Sequence, residues 1–172
     1  MRFFYNLIII IIIILSPIII FYRILKKKEN PKRFLEKFSF IKGKRKKGKL
    51  VWFHCSSVGE FLSIVPLVQE FEKINGIKQI LITTSTLSSS KIFGKFRFKK
   101  TLHQFYPLDN IYIVSKFLNY WDPSSVIFVE SEIWPTMVSE LKKRKIKIFL
   151  INARMSEKSF KKWFSCNNRS WT

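Results

Sequence analysis

From residue 50 onward, short apolar runs alternate with stretches of helical spacing. Leu50–His54 (LVWFH), Gln79–Thr84 (QILITT), Leu102–Tyr106 (LHQFY), Val126–Val129 (VIFV) and Ile146–Ile151 (IKIFLI) are short and rich in β-branched or aromatic side chains. Such runs predict five strands. Between them, Phe61–Ile74 carries Phe61, Ile64, Val65, Val68 and Phe71 at helical spacing. Pro66 falls inside that stretch, which predicts a bend or a displaced start. A shorter helix is predicted at Lys91–Phe96, after a Ser-rich turn at Ser85–Ser90. Ile111–Tyr120 reads as a third helix, ended by Asp122-Pro123, because proline disfavours helix in the residue before it. Ile133–Arg144 reads as a fourth, and its basic last turn suits the helix dipole. Strands alternating with helices predict an α/β domain with a mainly parallel, Rossmann-like sheet. Ligands of such sheets bind beyond the carboxyl ends of the strands.

The first fifty residues follow a different pattern. Phe3 to Tyr22 is an uncharged stretch of 20 residues that contains the run Ile8 to Ile14. At 1.5 Å per residue, about 20 residues cross a hydrocarbon core of roughly 30 Å. A cleaved signal peptide needs a shorter run and a small-residue cleavage site, so the pattern predicts one uncleaved transmembrane helix over 1–23. Arg2 stands alone before the span, whereas Arg23, Lys26, Lys27, Lys28, Lys32 and Arg33 follow it. The positive-inside rule then places the rest of the chain in the cytoplasm.

Composition sharpens this picture. The 172 residues hold 32 basic and 11 acidic groups, for a net charge of +21, with 47% hydrophobic residues, which excludes wholesale disorder. Two cysteines and two histidines argue against a disulfide framework and against a structural zinc site. The charge is blocky: residues 23–49 hold 13 basic and 2 acidic groups, a net of +11, and residues 141–172 hold 10 and 1, a net of +9. A basic run invites a nucleic-acid reading, yet no zinc-finger, RNP or helix-turn-helix pattern accompanies it, so no nucleic acid is expected as partner. The run KGKRKKGK at 42–49 follows closely on the predicted span. It reads as a basic juxtamembrane segment over 24–49, facing anionic lipid or simply a solvated linker.

Polar and titratable residues gather after the predicted strands. Strand one is followed by Cys55, Ser56, Ser57, Val58, Gly59 and Glu60, and strand four by Glu130, Ser131 and Glu132. Glu60 stands in a Gly-containing turn that opens a helix, so it is either a general base or an ordinary first-turn carboxylate. Glu130 and Glu132 lie two apart; if strand geometry persists they point the same way, as a reacting pair or as caps of the next helix. Ser56 and Ser57 read as sugar or phosphate contacts or as turn caps. His54 reads as a partner that orients Glu60 or as a structural histidine. With Gly59, and with Arg154 after strand five, the two serines complete the set of substrate-binding candidates. Gly-x-Ser-x-Gly, GxGxxG and GxxxxGK[ST] patterns are all missing from the sequence, which disfavours a serine hydrolase, a dinucleotide site and a P-loop.

Five motifs in order, HxxSVGE (His54–Glu60), TTST (Thr83–Thr86), YPLD (Tyr106–Asp109), ESEIWP (Glu130–Pro135) and INARxSExS (Ile151–Ser159), resemble the 3-deoxy-D-manno-octulosonic acid (Kdo) transferases. The resemblance implies the N-terminal half of a two-domain GT-B glycosyltransferase that moves Kdo from CMP-Kdo to the lipid A precursor at the cytoplasmic face of the inner membrane. It implies an inverting transfer without cofactor or metal, Glu60 as proton acceptor and Glu130 as transition-state stabiliser. It also implies that the CMP-binding domain lies outside these residues, so that 50–160 is the acceptor-side domain, 161–172 an aberrant tail, and the chain inactive alone. The competing reading is an incompetent remnant or a membrane-anchored lipid-binding module. Cys55, Ser56 and the sequence Leu87–Ser90 depart from the family pattern.

Overall fold

The computed structural model describes residues 15–16, 18–26, 28–130 and 134–153. Strands β1 (Leu50–His54), β2 (Gln79–Thr84), β3 (Thr101–Phe105), β4 (Ser125–Val129) and β5 (Lys147–Ile151) form one wholly parallel sheet in the order β3-β2-β1-β4-β5. Helices α1 (Val58–Lys73), α2 (Leu87–Phe93), α3 (Ile111–Trp121) and α4 (Pro135–Lys143) make the crossovers. The strand order reverses at β1, which has β2 on one side and β4 on the other. That is the topological switch point of an open parallel sheet, where a crevice forms beyond the carboxyl ends.

Strand alternation divides the core in two. Leu50 and Trp52 of β1 face a cluster with Val114, Phe117, Leu118 and Trp121 of α3 and Met137 and Leu141 of α4. Val51, Phe53 and Cys55 face Phe61, Ile64, Val65 and Val68 of α1, with Phe93 of α2 packed alongside. Every residue of β1 and β2 is buried, as a two-sided parallel sheet requires. β5 is the exception: Phe149 is 50% exposed and Leu150 44%.

The five predicted strands are all present, each within one residue of its predicted ends. The helices need correction. α1 begins at Val58, not Phe61, and continues through Pro66. Pro66 and Leu62 are both exposed, so water reaches the carbonyl that the missing N–H leaves unbonded. α2 begins at Leu87, four residues before the predicted start, because the Thr86 hydroxyl accepts from Ser89 N–H at 3.2 Å and makes the Ser-rich segment a first helical turn. α4 begins at Pro135, with proline at its first helical position.

The basic stretch before β1 is not a solvated linker. A 3-10 helix, Phe34–Phe38, lies along the β3 edge. Its Glu36 carboxylate is buried, takes two hydrogen bonds from Arg33 at 2.6 and 2.8 Å, and accepts from Phe105 N–H at 3.0 Å. Arg33 also donates to Ser90 Oγ and to the His103 carbonyl. Glu29, also buried, pairs with Lys37 at 2.6 Å and Arg23 at 3.3 Å. Farther on, Gln79 brackets the chain by accepting from Lys46 N–H and donating to the Lys44 carbonyl. Arg45 donates to the Trp121 carbonyl at 2.7 Å. Gly48, at φ +109°, turns the chain into β1; a Cβ there would meet Lys78 Cγ at 2.7 Å. Residues 18–25 are helical. Among the described residues no helix is long and apolar enough to cross a membrane. Residues 1–14 and 17 of the predicted anchor, and 154–172, lie outside them.

Both described histidines are held neutral. Burial pulls His54 from the usual 6.5 down to about 3, against a hydrogen bond with the Thr83 carbonyl. Burial, with the Arg33 charge adding, does the same to His103. A folded value below the unfolded one means that the unfolded chain binds the extra protons. Stability is therefore complete above pH 6.5 and falls as the pH drops toward 3, by about 1.4 kcal/mol per pH unit for each histidine. Urea midpoints that decline between pH 7 and 4, and decline about half as steeply after His103→Gln, are the expected result.

Candidate active site

The β1–α1 turn is built by reciprocal capping. Ser57 is the N-cap of α1, and its hydroxyl accepts from Glu60 N–H at 3.2 Å. The Glu60 carboxylate reaches back, and Oε2 accepts from Ser56 N–H at 2.7 Å. This is the Ser-x-x-Glu capping box, shifted by one residue at its second bond. The first-turn role weighed for Glu60 is thus real. It occupies one carboxylate oxygen; Oε1 makes no hydrogen bond among the described residues. Glu60 is 9% exposed, at the boundary between core and surface. Ser57 and Gly59 beside it are exposed and Ser56 is half-buried. A Cβ on Gly59 would meet only Ser57 Oγ, at 4.0 Å, so the helix start is open on that side. The N-terminal end of α1 favours negative charge there.

β4, the neighbour of β1, ends beside this turn. The two strands run in register as far as His54 opposite Phe128. Glu130 follows with φ +59°, and its N–H donates to the Ile151 carbonyl at 2.9 Å. A left-handed backbone at a non-glycine residue costs about 1–2 kcal/mol. Strand geometry therefore stops at Val129, and the alternation argument that aligned Glu130 with Glu132 fails. Glu132 and the predicted substrate contact Arg154 lie outside the described residues. Glu60 and Glu130 are thus brought to one rim by the two strands that flank the switch point.

Alternation also separates His54 from Glu60. His54 shares the face of Leu50 and Trp52, with α3 and α4, whereas Cys55 and Glu60 belong to the α1 face. His54 Nδ1 lies 3.2 Å from the Thr83 carbonyl and 3.0 Å from its hydroxyl, and the ring stacks on Tyr106 at 3.9 Å. His54 does not orient Glu60; it is a structural histidine, neutral at working pH. The Cys55 thiol is pushed well above its usual range, by burial and then by the Glu60 charge, which makes it unreactive.

Motif reading without geometry left Asp109 and Trp134 with no role. Asp109, buried, accepts from Thr136 N–H at 2.9 Å and Met137 N–H at 2.8 Å, and so caps α4 from the loop after β3. Trp134, the residue before α4, lies 6.2 Å from Tyr106 in a tilted arrangement. YPLD and the end of ESEIWP, separate in sequence, thus form one packed corner of the rim. Their only sequence signal was a carboxylate and an aromatic in two loops that the topology brings together. Among the described residues no three His, Cys, Asp or Glu side chains gather as a metal site would need.

A five-stranded parallel sheet of this order, with two carboxylates at its switch point, defines a Rossmann-like α/β domain without a phosphate-binding glycine loop. The family model for 3-deoxy-D-manno-octulosonic-acid transferase (kdotransferase) matches residues 32–171. The chain belongs to that family. It is 36% identical over 143 residues to a probable mitochondrial 3-deoxy-D-manno-octulosonic acid transferase of Arabidopsis thaliana, covering 83% of this chain and 32% of that protein. It is 40% identical over 141 residues to the 3-deoxy-D-manno-octulosonic acid transferase of Rickettsia bellii, covering 82% and 34%. A bifunctional glycosyltransferase/methyltransferase of Fusobacterium nucleatum is 31% identical over 134 residues, covering 77% and 20%. The chain spans about one third of the length of the first two relatives.

Two variants test the rim. Asp109→Ala removes the cap of α4 and lowers unfolding free energy by about 1–2 kcal/mol, and Asp109→Asn also destabilises, because its amide nitrogen faces the second of the two N–H groups that Asp109 accepts from. Glu130→Gly relieves the left-handed backbone and holds or raises the unfolding free energy, by up to about 1 kcal/mol, whereas Glu130→Ala does not.

Proposed function

We propose that this chain is the acceptor-side domain of a membrane-bound inverting glycosyltransferase that moves Kdo from CMP-Kdo to the lipid A precursor. The observation that carries the reading is the placement of Glu60 and Glu130 at the carboxyl rim of β1 and β4, where the strand order reverses. Family membership supplies the substrate class. The open flank at Gly59 leaves room for a sugar beside Glu60.

In this reading Ser56 N–H holds Glu60 Oε2 and fixes the carboxylate plane, and Oε1 takes the proton from the acceptor sugar hydroxyl. The freed oxygen attacks the anomeric carbon of Kdo as the bond to CMP breaks on the opposite side. That geometry inverts the centre through an oxocarbenium-like transition state. Glu130, half-buried at the end of β4, supports the positive charge that develops. Ser57, Gly59 and Arg154 contact the acceptor. The donor is held by a second domain, and the chain works at the cytoplasmic face of the inner membrane, which its uncharged N-terminal segment and basic flank favour.

The test joins residues 1–160 of this chain to the remaining part of the Rickettsia bellii relative and measures Kdo transfer from CMP-Kdo to lipid IVA. Activity in the chimera is expected, with a loss of about 10²–10⁴-fold on Glu60→Gln. Full activity in the Gln variant excludes Glu60 as the base. An inactive chimera, tested beside an active Rickettsia enzyme, overturns the acceptor-side reading.

A further inference from the structure

The two ends of the sheet carry opposite charge. In a parallel sheet every strand starts at one edge and finishes at the other, so segments far apart in sequence share an edge. At the carboxyl edge the described loops, 55–57, 85–86, 106–110 and 130, contain no Lys or Arg, and Asp109 and Glu130 lie in them. At the amino edge, residues 44–49 ahead of β1 hold five basic groups, residues 95–100 ahead of β3 hold four, and residues 142–147, from the end of α4 into β5, hold five, with no acidic residue in any of the three. Lys78 precedes β2 among them. In these segments only Lys143 pairs with a carboxylate among the described residues, that of Glu140. With β3 and β5 at the two sides of the sheet, the cations extend over its whole width, about 19 Å at about 4.8 Å per strand spacing.

Helix dipoles explain part of this. Lys142 and Lys143 stand in the last turn of α4, where a cation is favoured. Residues 44–49 end no helix, yet they are fixed at the edge by Gln79, which accepts from Lys46 N–H and donates to the Lys44 carbonyl. Residues 95–100 are braced by Glu72, whose carboxylate accepts from Lys99 N–H at 3.1 Å, Lys100 N–H at 2.7 Å and the Thr101 hydroxyl at 2.8 Å. Arg97 and Lys99 of that loop are exposed. Between the loop and α1 runs a groove of about 520 Å³, walled by Phe96, Arg97, Phe98 and Lys99 on one side and by Gln69 and Lys73 on the other. Glu70, also in its wall, is paired with Lys73 at 2.6 Å. The Phe96 and Phe98 rings, half-buried, lie 5.8 Å apart and 17° from parallel. Cations held side by side repel one another, and a bound polyanion relieves that repulsion.

The kind of cation and the groove identify the polyanion. The three segments hold eleven lysines and three arginines. Lysine is depleted in protein–protein interfaces, whereas it is an ordinary point-charge partner of a phosphate. A cationic track beside a groove with aromatic walls is the arrangement that takes a single strand, phosphates on the cations and bases against the rings. We propose that the amino edge of the sheet binds single-stranded nucleic acid, with its phosphates along the lysine segments and a base in the groove beside Phe96 and Phe98. A contiguous nucleic-acid motif is not required, because the parallel topology gathers the cations from separate segments. The face lies at the other end of the strands from Glu60 and Glu130, so the inference does not rest on the transferase reading.

The test uses the full chain in a non-ionic detergent and follows the fluorescence anisotropy of fluorescein-labelled oligothymidylate between about 50 and about 200 mM salt. Binding is expected, with an affinity that falls with salt at a log–log slope of about 3–4, as roughly five phosphate contacts on a single strand give. Arg97→Ala with Lys99→Ala, and Lys46→Ala with Lys47→Ala, each weaken binding about tenfold at the lower salt and reduce the slope by about 1. Lys26→Ala with Lys116→Ala removes the same charge away from this edge and changes the affinity by less than about twofold. No binding at the lower salt overturns the proposal. So does an equal loss in the Lys26 and Lys116 variant, which assigns the binding to the net charge of the whole chain. Displacement by polyglutamate as readily as by unlabelled oligothymidylate of equal charge also overturns it, and assigns the face to an acidic protein segment. None of these measurements reads sugar transfer, so each failure leaves the transferase reading standing.

Discussion

Between Phe53 and Glu60 the chain must leave a fully buried strand and start a helix, and the first N–H groups of that helix have no partner within it. Ser57 and Glu60 settle this between them, one capping forward and the other reaching back to Ser56 N–H. The carboxylate is therefore committed to the fold before any ligand arrives. Its position is fixed by a short hydrogen bond to backbone, and the backbone is fixed by β1, which is hydrogen-bonded on both sides to β2 and β4. A group asked to meet a substrate hydroxyl within a few tenths of an ångström gains from such rigid support. The cap uses Oε2, so the proton transfer proposed for Glu60 would fall to the other oxygen of the same side chain.

The β3 edge of the sheet follows another logic. β3 lies at an edge, where a parallel sheet offers unpaired backbone groups. The 3-10 helix covers that edge, and Glu36 satisfies Phe105 N–H directly. A buried carboxylate is tolerable only when its charge is met, and Arg33 meets it in a two-point contact. Arg33 in turn lies 2.8 Å from His103 Nδ1, whose other nitrogen lies 2.9 Å from the Thr84 hydroxyl. The neutral state of His103 is thus a condition of this corner: a second positive charge beside Arg33 would push the arm off the strand.

Much of the fold was legible because parallel strands buried on both faces read as continuous β-branched runs, and these were long enough to see in β1, β2 and β4. The helix starts were less legible. Leu87–Ser90 reads as a turn by composition, since serine competes with the helix for backbone groups, yet Thr86 caps it. The linker alternative for the arm fails for a related reason. A charge count sees +11 over residues 23–49, but it cannot see that Glu29 and Glu36 are the anchoring points. In the candidate site, Glu60 was legible from its Gly-containing turn. The separation of His54 from it follows from strand alternation, which puts neighbouring residues on opposite faces. The left-handed turn at Glu130 had no local signal at all, because nothing in a glutamate announces positive φ.

That silence is itself informative. Five non-glycine residues in the described chain have positive φ. Asp122, just past α3, and Asn152, just past β5, are types that tolerate it, and Ser39 and Lys145 follow helices, where one left-handed residue is a common ending. Glu130 has neither excuse: it follows a strand, and a glycine would adopt the same backbone at lower cost. Its N–H bond to the Ile151 carbonyl continues the β4–β5 ladder one residue past the strand end, so the turn is held by the sheet. The strained backbone beneath this carboxylate at the switch point is thus the one left-handed residue of the five that neither a helix end nor its residue type accounts for.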